Sequence, residues 1–282
     1  MDRIKLIYAN GDSWTAGDIV DPELFGDDGG KVNDPRNKAY RLPRVWPDKL
    51  AKKLGIDAVN NSHAGGSNDR ILRSTINDVL NLIKTHNTED IFVIIGWSSP
   101  ERKDFFYKWD KEEPGGEWEC LYPSEFKHWT SEREELNSFF KLYTLNHWYE
   151  EEYITRHCLN TISLHYFLKG LGIKHLFFNA FYEDKEFVLS EDAHQLFDPS
   201  ELQTFMVNFK KNMSDRVLKR LEVNNSLEEY NKIYKTNFIK KSFVKFLLEN
   251  NEFEKDKLID YHPTELGHKL WAEYLYTVLK ND

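Results

Sequence analysis

Residues 91–95 constrain the fold more than any other segment of the sequence. They form a continuous apolar run, Ile-Phe-Val-Ile-Ile, which is rich in β-branched residues and ends at Gly96. A short run of this kind is typical of a strand that is covered on both faces. The strands of a parallel sheet with helices on both sides are buried in this way, and we expect such a sheet here.

Strand-like and helix-like segments alternate along the rest of the chain. Further strands are predicted at residues 4–9, 57–60 and 175–179, and helices at residues 50–54, 68–84, 150–171 and 264–280. In residues 68–84 the apolar positions recur with a period of 3.6, and Asn68 or Asp69 is the predicted N-cap. The alternation predicts an α/β domain with a mostly parallel sheet.

Two segments exceed what a minimal domain of this class needs. Residues 100–149 are rich in aromatic and charged residues, and residues 181–257 have largely helical patterns. We interpret both as insertions over one end of the sheet, within a single domain that spans residues 1–282. The aromatic segment is predicted to form a small satellite core, with a lid or a sugar-binding wall as the alternative.

The charge balance limits the classes of partner. The chain of 282 residues carries 38 Lys and Arg against 47 Asp and Glu, a formal net charge of −9. Phosphate backbones and anionic membranes attract basic surfaces, so neither a nucleic acid nor a membrane is the expected partner. The sequence contains no recognisable secretory signal and no apolar run long enough to span a bilayer. We therefore expect a cytoplasmic protein.

Polar residues cluster directly after the predicted strands. In open α/β sheets, ligands bind outside the carboxyl ends of the strands. The residues at these places, together with those before the last helix, are Gly11, Asp12, Ser13, Asn60, Gly65, Gly66, Asn68, Gly96, Ser98, Asp260 and His262. A serine, a histidine, an aspartate and a flexible backbone that presents N–H groups are the components of an acyl-transfer site.

Four of these segments resemble, in the same order, the sequence blocks of the SGNH/GDSL hydrolases. Residues 11–17 read Gly-Asp-Ser-Trp-Thr-Ala-Gly, with a glycine four positions after the serine. Residues 60–65 have the N-x-x-x-x-G spacing of the second block, and residues 61–66 have it in the next register. Gly96 stands at the third block, and residues 260–263 resemble the last block, in which the histidine is followed by proline.

The resemblance implies a three-layer, flavodoxin-like fold and esterase activity without a cofactor. Ser13 would be the nucleophile, His262 the general base and Asp260 the acid that orients the imidazole. The oxyanion would be held by the N–H groups of Ser13 and Gly65, or Gly66 in the other register, and by a polar side chain after the third strand. The expected substrate is a small-molecule or glycan ester, such as a small acyl group on a carbohydrate.

Two positions depart from the family's pattern. Ser98 stands where the family has an asparagine, and Asn68 or Asn179 is the candidate substitute. Asp260 precedes His262 by two positions instead of three, which leaves Asp256, or a Ser–His dyad without an acid, as alternatives. These departures keep open a second hypothesis, a non-catalytic carbohydrate- or metabolite-binding protein on the same fold.

Several neighbouring residues have two interpretations. Asp12 either accepts backbone hydrogen bonds in its turn or takes part in the chemistry. Trp14 and Trp97 either face the substrate or lie in the core, and Arg102 is either a substrate clamp or half of a surface ion pair. His268 follows His262 by six positions, which is not helical spacing for a metal pair, so we expect it to pack in the last helix and expect no metal site.

Overall fold

A four-stranded parallel sheet is the centre of the computed structural model, which describes residues 3–26, 31–107, 117–121, 134–147, 150–183, 188–189, 225–250, 252 and 262–281. The strands are β1 (Leu6–Asn10), β2 (Asp57–Asn60), β3 (Ile91–Trp97), β4 (Lys103–Tyr107), β5 (Glu117–Leu121), β6 (Lys174–Asn179), β7 (Tyr182–Glu183) and β8 (Val188–Leu189). The α-helices are α1 (Ser13–Ala16), α2 (Pro22–Phe25), α3 (Lys38–Arg41), α4 (Trp46–Leu54), α5 (Asn68–Leu82), α6 (Glu134–Asn146), α7 (Glu150–Gly170), α8 (Asn225–Asn237), α9 (Phe243–Glu249) and α10 (Glu265–Asn281). Short 3₁₀ helices cover Pro35–Asn37, Leu42–Arg44 and Thr88–Asp90.

The central sheet has the strand order β2-β1-β3-β6, and each adjacent pair in it is parallel. The four strands correspond to the four that the sequence predicts, so the α/β class and the parallel sheet are confirmed. Because β1 lies between β2 and β3, the chain reverses its direction of winding at β1, as in flavodoxin-like sheets. Such a reversal opens a crevice at the carboxyl ends of β1 and β3.

Helices cover both faces of this sheet, as two successive residues of β6 show. The ring of Phe178 packs against Trp46 of α4 and Trp271 of α10, with centroid distances of 5.6 and 5.1 Å. Phe177 points to the opposite face, because side chains alternate along a strand. There it packs against Phe238, which directly follows α8, at 5.4 Å. The predicted helices on both faces are therefore confirmed.

The predicted N-cap of α5 is wrong. The helix begins at Asn68, but the capping side chain is that of Ser67, which accepts a hydrogen bond of 3.1 Å from the N–H of Arg70. Asn68 does not cap because its amide group is buried and bonded to other partners.

The aromatic segment after β3 forms a small second core, as the favoured interpretation predicts. β4 and β5 pair as an antiparallel hairpin. Leu121, Leu136 and Phe140 are buried together, with Phe105 and Tyr143 packed against them. In the second insertion α8 and α9 are helical, and residues 190–224 lie outside the described segments. No helix of the described segments combines the length and the apolar composition that crossing a membrane requires.

His268 is a fully buried histidine in the first turn of α10. Its ring packs edge-on against Phe243 at 5.8 Å, and neither ring nitrogen has a hydrogen-bond partner in the described part of the chain. Burial lowers the pKa of His268 to about 3, so the ring is neutral in the folded protein at pH 7. The predicted packing role of this histidine is confirmed.

The contacts of Phe178 predict a large effect of shortening this side chain. Phe178→Ala should lower the free energy of unfolding by about 3–5 kcal/mol, because it removes a fully buried ring and leaves a cavity between Trp46 and Trp271. Urea unfolding measures the change. Leu80→Ala, at an exposed position on α5, is the control and should stay within about 0.5 kcal/mol of the wild type.

The low pKa of His268 predicts an acid-sensitive fold. The unfolded chain binds a proton at this residue below about pH 6.5, whereas the folded protein does so only near pH 3, so stability falls as the pH falls through this range. His268→Leu should reduce the slope of unfolding free energy against pH by about 1.4 kcal/mol per pH unit between pH 6 and 4. His86→Leu, at an exposed site, is the control. Equal slopes for wild type and His268→Leu would contradict the prediction.

Candidate active site

The turn after β1 lies against the end of β3. A Cβ atom at Gly11 would be 2.9 Å from the carbonyl oxygen of Gly96, and a Cβ atom at Gly96 would be 2.7 Å from Cζ of Phe178. Both distances are shorter than van der Waals contact, so only glycine fits at these two positions. The close approach brings residues 11–13 beside Ser98, at the crevice that the sheet topology opens.

Asp12 caps the short helix α1. Its Oδ1 atom accepts a hydrogen bond of 3.0 Å from the N–H of Trp14, and its carbonyl oxygen accepts from the N–H groups of Thr15 and Ala16. This is the structural role that the sequence favours for Asp12. Because Asp12 is the cap, the hydroxyl of Ser13 is not used for capping and is directed to another partner.

That partner is His262. The Nε2 atom of His262 lies 2.8 Å from Oγ of Ser13, although the two residues are 249 positions apart. His262 directly precedes the segment that leads into α10, and α10 packs on α4. The serine and the histidine that the sequence selects are therefore in hydrogen-bond contact.

The acid found beside His262 is Asp18, which the sequence analysis does not select. The Nδ1 atom of His262 lies 3.2 Å from Oδ2 of Asp18. Asp260 and Asp256, the predicted orienting acids, lie outside the described residues. The one sequence feature that could have pointed to Asp18 is its place directly after Gly17 and five positions after Ser13. No periodic pattern predicts the direction of its side chain.

Ser98 belongs to a buried polar network. Its hydroxyl donates a hydrogen bond of 2.6 Å to Oδ2 of Asp12 and accepts one of 3.0 Å from Nη1 of Arg102. Nη1 of Arg102 also lies 3.4 Å from Oδ2 of Asp12, which is fully buried. The hydroxyl proton of Ser98 is thus directed to a carboxylate instead of the crevice, and Arg102 forms an internal ion pair instead of a surface pair.

Asn68 is a structural link and not the predicted substrate-facing amide. Its Oδ1 atom accepts from the N–H of Ser98 at 2.8 Å, and Nδ2 donates to the carbonyl oxygen of Ser98 and to Nδ1 of His157, both at 3.0 Å. An amide group has two N–H hydrogens, and both are used. Asn68 therefore joins the start of α5 to the end of β3 and has no donor left for an oxyanion.

The turn after β2 contains both glycines of the second block. The N–H of Gly66 donates to the carbonyl oxygen of His63 at 2.9 Å, so this group is used inside the turn. Gly65, the glycine of the other register, has a φ angle of +79°. Asn60 braces the same turn, since it accepts from the N–H of Ser62 and donates to the carbonyl oxygen of Thr15.

Trp14 and Trp97 do not line the crevice. Both are buried, Trp14 against Phe181 and Phe243, and Trp97 against His157 and Phe177. Their predicted role in substrate binding is corrected, because a ring enclosed by the core offers no face to a sugar or an acyl chain. Within the described ranges, no group of three or more His, Cys, Asp or Glu side chains is arranged to hold a metal ion.

The contacts of Asn68 predict its importance for stability. Asn68→Ala leaves the backbone N–H and carbonyl of Ser98 and the ring of His157 without this partner, all in a buried setting. Each unsatisfied group costs about 1–3 kcal/mol, so the free energy of unfolding should fall by roughly 2–4 kcal/mol. Asn81→Ala, on the exposed side of α5, is the matched control. Equal stabilities of the two variants in urea unfolding would contradict the assignment.

Solved structures similar to this chain include three lipolytic or ester-cleaving enzymes. They are a psychrotrophic esterase from Pseudoalteromonas sp. (12% identity over 98% of this chain and 97% of that chain, TM-score 0.44), a member of the lipolytic G-D-S-L family from Veillonella parvula (15%, 98% and 98%, 0.43) and phospholipase A1 from Streptomyces albidoflavus (11%, 99% and 100%, 0.39). Likeness at this level leaves function to be argued from the site itself. No curated protein sequence matches the chain.

One family model matches more than half of the chain. It covers residues 26–196, a range that includes Ser98 and Arg102 but neither Ser13 nor His262. The chain therefore belongs to DUF6071, a family of unknown function.

Proposed function

We propose that this protein is a serine hydrolase that cleaves a carboxylic ester at Ser13, in the manner of the SGNH/GDSL hydrolases that its sequence blocks resemble. The observation that carries the proposal is the distance of 2.8 Å between Nε2 of His262 and Oγ of Ser13. A serine in contact with an imidazole nitrogen at a sheet crevice is the arrangement that nucleophilic catalysis requires.

The reaction would proceed in two steps. Oγ of Ser13 attacks the ester carbonyl carbon while His262 accepts the hydroxyl proton at Nε2, and collapse of the tetrahedral intermediate breaks the bond to the alcohol oxygen, which takes that proton from His262. Water then attacks the acyl-enzyme while His262 accepts a proton from it, and collapse of the second intermediate breaks the bond to Oγ of Ser13, which takes that proton back from His262 as the acid is released. All groups in this scheme are amino-acid side chains, and it requires no cofactor.

The proposed oxyanion donors are backbone groups. The N–H groups of Ser13 and Gly65, in the turns after β1 and β2, would donate hydrogen bonds to the oxyanion that forms when Ser13 attacks. Arg102 is the proposed polar contact to the substrate after β3, because its guanidinium reaches Ser98 and its side chain is 17% exposed. The proposed substrate remains a small-molecule or glycan ester. The carbohydrate part rests on the family resemblance, since the buried Trp14 and Trp97 do not support it.

A non-catalytic binding protein is the second candidate. The observation that favours it is that neither Ser98 nor Asn68 has a side-chain donor free for an oxyanion. Loss of one such donor costs other enzymes about 10²–10³ in kcat. This candidate predicts binding of a sugar or metabolite without turnover.

A fluorophosphonate probe, followed by intact mass spectrometry, tests the proposal. The wild type should acquire one adduct at Ser13, and Ser13→Ala and His262→Ala should acquire none, because the first lacks the nucleophile and the second lacks its base. Ser74→Ala, on α5, is the matched control and should be labelled like the wild type.

The opposite result is equally informative. Wild-type protein that is folded by circular dichroism and acquires no adduct contradicts the hydrolase. The binding protein would then be tested by calorimetry with a panel of mono- and disaccharides.

A further inference from the structure

We infer that Asp18, on the same turn as the nucleophile, is the carboxylate that positions His262. This inference rests on the hydrolase function proposed above and adds a residue to it. Oδ2 of Asp18 lies 3.2 Å from Nδ1 of His262, and Nε2 of the same ring lies 2.8 Å from Oγ of Ser13. Carboxylate, imidazole and hydroxyl thus form a continuous series of contacts.

The chemistry of the three groups fixes where the protons lie. A carboxylate accepts hydrogen bonds and does not donate them, so the contact with Asp18 places the ring hydrogen of His262 on Nδ1. Nε2 then carries the lone pair that faces the hydroxyl of Ser13. When His262 takes the proton of Ser13, the ring becomes positive, and the adjacent carboxylate stabilises that charge.

The backbone between Ser13 and Asp18 is held in place at several points. The N–H of Gly17 donates to the carbonyl oxygen of Ser13 at 2.7 Å, which closes the short helix. Gly17 has a φ angle of +78°, and a Cβ atom there would overlap Cγ1 of Val45, so the turn requires glycine. This turn redirects the chain so that the side chain of Asp18 reaches His262.

A buried arginine supports the same turn. The guanidinium of Arg41 donates through Nη1 to the carbonyl oxygen of Ala16. Burial lowers the pKa of Arg41, and the negative charges of Asp48 and Asp18 act in the opposite direction. Arg41 is therefore a cation close enough to Asp18 for the two charges to attract each other.

Asp18 follows Ser13 by only five positions, so the short turn between them sets their relative placement. The competing acid, Asp260, is selected by its spacing before His262. The two assignments make different predictions for single carboxylate-to-amide substitutions, because only substitution of the acid that orients His262 should slow the reaction.

The experiment compares Asp18→Asn, Asp18→Glu, Asp260→Asn and a control. For each variant, kcat and KM are measured with p-nitrophenyl acetate, together with the rate of fluorophosphonate labelling at Ser13. Asp18→Asn should lower kcat about 10²–10⁴-fold with KM nearly unchanged, as loss of the orienting acid does in other triads. Asp18→Glu should restore part of the rate. Asp57→Asn, an exposed carboxylate at the start of β2, should match the wild type.

A spectroscopic measurement separates positioning from a general structural role. Proton NMR should show a far-downfield resonance from the Nδ1 hydrogen of His262, present in the wild type and in Ser13→Ala. It should disappear in Asp18→Asn and in His262→Ala. Asp260→Asn should keep this resonance, so the assignment remains testable even where Asp18→Asn folds poorly.

The outcomes distinguish this inference from the proposed function. If Ser13 is labelled in the wild type and Asp18→Asn reacts as fast as the wild type, the role of Asp18 is overturned and the hydrolase stands. The same holds if Asp260→Asn loses more kcat than Asp18→Asn. Absence of labelling in the wild type overturns both. Loss of rate and of the downfield resonance in Asp18→Asn, with partial rescue by Asp18→Glu, supports the assignment.

Discussion

The site depends on the close contact between the turn after β1 and the end of β3. A Cβ atom at Gly11 would lie 2.9 Å from the carbonyl oxygen of Gly96, and a Cβ atom at Gly96 would overlap the side chains of Thr15, in the same turn, and Phe178. This contact sets the distance from Asp12 to Ser98 and, through the cap of α1, the direction of the Ser13 hydroxyl. A larger residue at either glycine would separate the two strand ends, and the polar contacts between them would be lost together.

Asp12 shows how the fold uses a buried charge. Its carboxylate is fully buried, and it is compensated by the N–H of Trp14, the hydroxyl of Ser98 and the guanidinium of Arg102. A buried ion pair adds little net stability, but removing one partner is costly. The network therefore fixes the relative placement of β1 and β3 more than it strengthens the fold. It also explains why Ser98 points inward although it follows a strand at the crevice.

Much of the fold is predictable because its signals are local. The apolar run of β3 indicates a strand buried on both faces, and the 3.6 period of α5 indicates a helix buried on one face. Both elements are found where they are expected. The N-cap of α5 is missed by one residue because Asn68 has tertiary partners, which a local pattern does not include. Trp14 and Trp97 have two interpretations for the same reason, since only the packed structure shows that the core encloses both rings.

The site is predictable in part. Ser13 and His262 are selected by motif, and the structure brings them into contact. Asp18 is not selected, because its direction depends on a turn at positive φ and on a distant arginine, neither of which leaves a sequence pattern. The internal hydrogen bonds of Asn68 and Ser98 are not predictable from the sequence either. A polar residue after a strand can equally bind a ligand or form hydrogen bonds within the protein.

The contact between Ser13 and His262 also links the proposed chemistry to the folding of a late segment of the chain. During synthesis the segment with Ser13 is made first, and His262 is added 249 residues later, immediately before the helix that packs on α4. Domains fold from the N-terminal end during synthesis, so Ser13 lacks the His262 imidazole beside it until this late segment has been made. Under the proposed mechanism, reactivity at Ser13 would therefore report that the helix after His262 has docked.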